Sequence, residues 1–183
     1  MQREKEPGTV EPLPGSLSSK PKGSSCAVQK NLIVWEDLFV VIDDGMTPLE
    51  EYDRLEEILA EHVRERGTRF GIVVLVPPQA RPPTEAHRTY LRMLFDRIRG
   101  LACALVWVIE GSGFAGAAML GVLTGFQVAM RGPGYYPLHI THTLEDAVES
   151  IFPLLTNGAQ RLEDRAAAIR AIRAARAEIQ SLD

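Results

Sequence analysis

The stretch that decides the fold runs from Phe70 to Ile109: "FGIVVLVPPQARPPTEAHRTYLRMLFDRIRGLACALVWVI". Its two ends, "FGIVVLV" and "LACALVWVI", are apolar throughout instead of at alternate positions, as in parallel strands covered on both faces. Between them a proline-rich loop, "PPQARPP", leads to "TEAHRTYLRMLFDRIRG", where Leu91, Leu94, Phe95 and Ile98 recur at helical spacing. A strand, a helix and a second buried strand call for a right-handed crossover in a parallel sheet.

Toward the N-terminus, "TPLEEYDRLEEILAEHVRERG" reads as a helix that opens with Thr47 as N-cap, Pro48 at N1 and Glu50 at N3. Tyr52, Leu55, Leu59 and Val63 form its apolar stripe, basic residues fill its last turn, and Gly67 ends it. Before it, "NLIVWED" and "LFVVIDDG" read as a hairpin around Glu36-Asp37. Residues 1–29, rich in Pro, Gly, Ser, Lys and Glu, are expected to be a disordered leader. Toward the C-terminus, "YPLHITH" reads as a short strand and "TLEDAVESIFPLL" as a helix capped by Thr143. An Ala/Arg-rich helix within 156–183 is added as an appendage to the α/β domain of residues 30–155. The expected order is β-β-α-β-α-β-α-β-α plus one helix.

That order resembles the STAS and SpoIIAA-like proteins, small α/β domains with an opening strand pair followed by β-α units. Two segments carry the finer likeness: "DDGMTPLEEYDRLEEIL" is similar to the family's glycine-then-capped-helix step, and "THTLEDAVESI" to its closing strand-to-helix step. The resemblance implies a single STAS-like domain that works by binding a partner protein or an apolar ligand, without chemistry of its own. In the family's regulatory branch, a serine or threonine at the start of the helix after the third strand is phosphorylated within an Asp-Ser-type motif. Here that place reads "VPPQARPPTEAH", which lacks the motif and offers only Thr84, whose hydroxyl also suits an N-cap.

Composition narrows the classes further. A net charge of −4 without blocks of one sign gives no basic face for nucleic acid. The two cysteines, Cys26 in a small-residue tail and Cys103 in an apolar strand, do not make a disulfide framework. The N-terminus lacks the apolar run of a secretory signal, so the chain is read as cytoplasmic. His139 and His142 fall on opposite faces of a strand, and His62 and His87 sit among charged helix neighbours and read as solvated. No metal site is expected. Asp43 and Asp44, an acidic pair before Gly45, are read as a turn before a helix in preference to catalytic carboxylates.

Gly111-Ser-Gly-Phe-Ala-Gly116 spells the dinucleotide-binding fingerprint, yet no acid follows about 20 residues on to hold a ribose, and no cofactor is expected. The helix it opens is more informative. From Gly111 to Met130 no residue is charged. Met119, Val122, Leu123, Phe126 and Met130 gather on one side, where burial of each large residue contributes about 1.5–3 kcal/mol. Ala117, Ala118, Gly121, Gly125 and Ala129 gather on the other, with Thr124 at the edge. A water-facing helix side normally carries charge, so this one needs a cover: a second copy or another protein, the chain's own C-terminal helix through Ala166, Ala167, Ala171 and Ala174, or a bilayer. Glycines, Glu110 and the surrounding β-α alternation argue against a membrane span. The expectation is a non-enzymatic protein-binding module, partner-binding through Ala117, Ala118, Gly121, Thr124 and Gly125. The alternatives are a carrier of an apolar ligand or lipid, and a small acidic inhibitor or immunity protein for a toxin.

Overall fold

The hairpin at Glu36-Asp37 forms β2 (Leu32–Trp35) and β3 (Leu38–Ile42), with Leu32 opposite Val41 and Trp35 opposite Leu38. Glu36 makes the turn with a left-handed backbone, φ 53°. The computed structural model describes residues 26–29, 31–130, 132, 134–155 and 162–181. The rest of the expected leader, residues 1–25, lies outside the described residues. Its last part was misread: Cys26–Gln29 is a strand, β1, pairing antiparallel with β2. A four-residue edge strand with no alternating pattern has no local signal strong enough to separate it from a tail.

The chain continues through α1 (Leu49–Arg66), β4 (Phe70–Val76), α2 (Glu85–Arg97), β5 (Ala102–Ile109), α3 (Gly113–Ala129), β6 (Leu138–Thr141), α4 (Leu144–Ile151) and α5 (Leu162–Gln180). These make an α/β fold on one six-stranded sheet in the order β1-β2-β3-β4-β5-β6. The opening pairs are antiparallel, and β3 to β6 are parallel neighbours. Because the three crossovers advance in the same direction across the sheet, right-handedness puts α1, α2 and α3 on one face. Ile72, Val74 and Val76 of β4, with Leu105, Trp107 and Ile109 of β5, pack there under those helices. The alternate residues Val73, Leu75, Ala104, Val106 and Val108 point to the other face. That is why both strands are apolar throughout.

The second face is closed by α4 and α5. Ala147, Val148 and Ile151 of α4 are fully buried there, and Gly71 makes the room: a Cβ on it would lie 2.6 Å from Ile151 Cδ1. Helix α5 packs over β1 and β2, and its Ala168, Ile172, Ala175 and Ile179 join Ile33, Trp35, Leu38 and Val40 of the hairpin in one buried cluster. It is therefore a core element, not an appendage. Arg176 of α5 fixes its far end with a two-pronged ion pair to Glu110 at the end of β5, Nη1–Oε1 2.5 Å and Nη2–Oε2 2.6 Å.

Two helix starts were foreseen and one was not. Thr84 caps α2, accepting from His87 N–H at 3.3 Å, and Thr143 caps α4, accepting from Asp146 N–H at 3.1 Å. Gly67 closes α1 in the left-handed conformation, φ 66°. Thr47 does not cap α1, which starts at Leu49 with Pro48 before it. Its hydroxyl instead donates to Asp43 Oδ1 at 3.2 Å, within a turn that outcompetes the cap.

Candidate functional site

Helix α3 begins at a turn made by its own glycines. Gly113 has φ 70°, and a Cβ on Gly116 would stand 2.6 Å from the Gly111 carbonyl oxygen. Two of the three glycines in the fingerprint thus serve the packing of the loop itself. Ser112, the N-cap, makes no side-chain cap bond. Beyond the turn, Met119, Leu123, Phe126 and Met130 are buried against the sheet and Val122 is half-buried, as their size and spacing require. Phe126 sits 6.0 Å from Trp107 and 6.1 Å edge-on from Phe95, between ring centroids, and Gln127 donates to the Leu138 carbonyl of β6 at 2.9 Å.

The opposite side is open. Ala117, Gly121, Thr124, Gly125 and Ala129 are exposed and Ala118 is half-buried. Leu120 and Val128 lie on the same side, 39% and 59% exposed. A helical wheel places both beside Thr124, so their contribution could have been read from the sequence. Neither residue was assigned to a side from the sequence. Cover by the C-terminal helix is ruled out, because α5 lies on the other face of the sheet and uses Ala168 and Ala175 there. Ala166 and Ala174, expected to meet α3, are exposed; Ala167 and Ala171 are half-buried.

Gly121 and Gly125 differ from Gly116 in one decisive respect. Among the described residues, a Cβ built on either would meet no atom within 4 Å beyond the adjoining helix backbone. No turn or close approach within the molecule needs glycine at these positions, although each weakens the helix by about 1 kcal/mol relative to alanine. Between this side and α2 runs an open groove of about 350 Å³ lined by Glu85, Arg88, Thr89, Arg92, Gly121, Val122, Gly125 and Phe126. By contrast, the cavity beneath α3, walled by Met119, Leu123, Trp107 and Tyr52, holds about 20 Å³, the room of a single water.

The remaining candidates are held in structural roles. Thr84 shares its hydroxyl with His87 Nδ1 at 2.6 Å, while His87 Nε2 approaches the Thr47 carbonyl at 3.1 Å. The Thr47 carbonyl can only accept, so Nε2 carries a proton, and in the neutral ring Thr84 donates to Nδ1. Histidine 87 is half-buried and bridges two loops, which corrects its reading as a solvated side chain. Asp43 accepts from Gly45 N–H at 2.9 Å and from Tyr52 Oη at 2.7 Å, and Asp44 accepts from Met46 N–H at 2.8 Å, as the turn reading requires. Burial, and then the Asp43 carboxylate, push the Tyr52 phenol well above its ordinary range.

His62 also departs from its expected exposure. Its side chain is 10% exposed, and Nε2 lies 2.9 Å from Oδ1 of the buried Asp37. Contact across the β2–β3 turn is invisible to its charged neighbours in sequence. Thr68 Oγ1 at 3.2 Å and Arg66 Nη1 at 3.4 Å reach the same oxygen. Burial alone would raise Asp37; His62, Thr68 and Arg66 outweigh it and hold the carboxyl below its ordinary value of 3.8. Burial raises the Cys103 thiol.

Among the described residues no group of three or more His, Cys, Asp or Glu side chains could hold a metal, and no helix is long and apolar enough to cross a membrane. No family model, curated protein or solved structure matches this chain.

Proposed function

We propose that this chain is a non-enzymatic binding module of STAS-like, SpoIIAA-like kind, which docks another protein on the exposed side of α3. The opening antiparallel strands followed by parallel β-α units in sequential order support the family reading. The observation that carries the function is the pair Gly121 and Gly125, helix glycines whose Cβ positions face open space among the described residues, on an exposed and uncharged side. Such a surface admits a second backbone at short range and offers apolar area through Leu120 and Val128. The small cavity beneath α3 favours this surface reading over a carrier with an interior ligand. An inhibitor of a toxin is one special case of it, with the toxin as partner.

Native mass spectrometry and affinity capture with the full chain test the proposal. Gly121→Leu should remove the captured partner while the circular dichroism spectrum stays unchanged, since the added side chain has open space around it. A stoichiometric apolar molecule travelling with the protein would contradict it in favour of a carrier. Capture unaffected by the substitution would remove α3 from the function.

A further inference from the structure

The groove beside Gly121 and Gly125 also carries information about the chemistry of its occupant. Helix α2 supplies its other wall with Glu85, Arg88, Thr89 and Arg92. Arg97, at the end of α2, is paired with Glu56 at 2.6 Å. Arg88 and Arg92 have no carboxylate partner among the described residues; Arg92 stands with its guanidinium 5.8 Å from the Phe126 ring centre, leaning over the groove. In a chain of net charge −4, two arginines thus stand beside a helix that carries no charge of its own.

We infer that the α2–α3 groove receives an acidic amphipathic helix of a partner protein, with small apolar residues against Gly121 and Gly125 and carboxylates against Arg88 and Arg92. This rests on the reading of α3 as a docking face and adds the charge and shape of what docks. Arg88 and Arg92 are one helical turn apart, about 6 Å along the axis. Carboxylates four residues apart on a facing helix have the same spacing. Guanidinium groups donate paired hydrogen bonds to such carboxylates. The α3 helix of a second copy cannot supply them, because it carries no charged residue from Gly113 to Ala129. Glu85, one turn before Arg88, marks the end of the groove where a partner would place a basic residue.

The test is fluorescence anisotropy with the full chain and two synthetic peptides of about 18 residues, long enough for a stable helix. Both carry an Ala/Leu face. One has glutamates four apart beside it, and the other has glutamine at the same places. The acidic peptide should bind the wild-type chain about tenfold more tightly, with the preference fading as salt rises. Arg88→Glu with Arg92→Glu should abolish the preference, and Gly125→Leu should abolish binding of both peptides.

Equal binding of the two peptides, with sensitivity to Gly125→Leu, would overturn the acidic partner and leave the docking face standing. A preference that survives the arginine substitutions would also overturn it. Binding insensitive to Gly125→Leu, or absent for both peptides, would overturn this inference; the first result would remove the α3 face as well. Association with phosphatidylserine vesicles in place of the peptide would assign the groove to a membrane surface, and arginine-dependent self-association would assign it to a second copy. Either result refutes the partner helix.

Discussion

Replacing Gly121 and Gly125 together by alanine should make the protein more stable. Both lie inside α3, and a Cβ at either position meets nothing within 4 Å, so the substitution has no steric cost in the isolated chain. Each exchange recovers about 1 kcal/mol of helix propensity, so the pair should gain about 2 kcal/mol. At this chain length each kcal/mol raises the melting temperature by about 2–4 °C, giving a rise of about 4–8 °C. Calorimetry, together with urea unfolding followed by circular dichroism, reads the effect. Gly116→Ala is the contrasting case: its Cβ would stand 2.6 Å from the Gly111 carbonyl oxygen, and the variant should lose about 1–3 kcal/mol. A double variant no more stable than wild type would refute the reasoning, because the glycines would then serve a need within the chain.

Asp37→Asn should cost about 2–3 kcal/mol at neutral pH by breaking the buried contact to His62. A carboxyl with a lowered folded value contributes in full above its ordinary value of 3.8 and loses that contribution as pH falls through the folded value. Urea titrations should therefore show the gap between wild type and variant closing below about pH 4; a constant gap contradicts the pairing. Ile172→Ala, in the fully buried contact of α5, should cost about 2–4 kcal/mol in the same assay. Tyr136 is buried and its hydroxyl has no hydrogen-bond partner among the described residues, so Tyr136→Phe should be neutral or stabilising by up to about 1 kcal/mol. A marked loss there would reveal an ordered water on the hydroxyl. Truncation before α5 should cause aggregation by exposing Ile33, Trp35, Leu38 and Val40, detectable by light scattering.

How much was legible depended on whether a signal was local. Strands β4 and β5 announce themselves because both faces are buried, so no position needs a polar residue. The caps at Thr84 and Thr143 involve only three residues each. Thr47 satisfies the same local rule and fails it, because Asp43 offers its hydroxyl a competing bond. His62 was misread for want of a partner 25 positions away. Strand β1 is only four residues long and owes its place to pairing along the edge of β2. The docking of α5 was written in Ala168, Ile172, Ala175 and Ile179, a stripe at helical spacing, but arginines and alanines around it dilute the pattern. The open side of α3 was legible because an uncharged helix with one smooth side is unusual enough to need an explanation. Its neighbourhood with Arg88 and Arg92 was not, since it joins helices separated by a whole strand.

The claim on which the rest depends is that α3 presents its small residues to another protein. A photo-crosslinking amino acid at Thr124, exposed in the middle of that surface, tests it most directly. The same group at Glu57, on the exposed side of α1, serves as the control. In cells producing the full chain, the Thr124 position should yield a discrete crosslinked protein and the Glu57 position none. Crosslinks formed from Glu57 alone, or equally from both positions, would contradict the account.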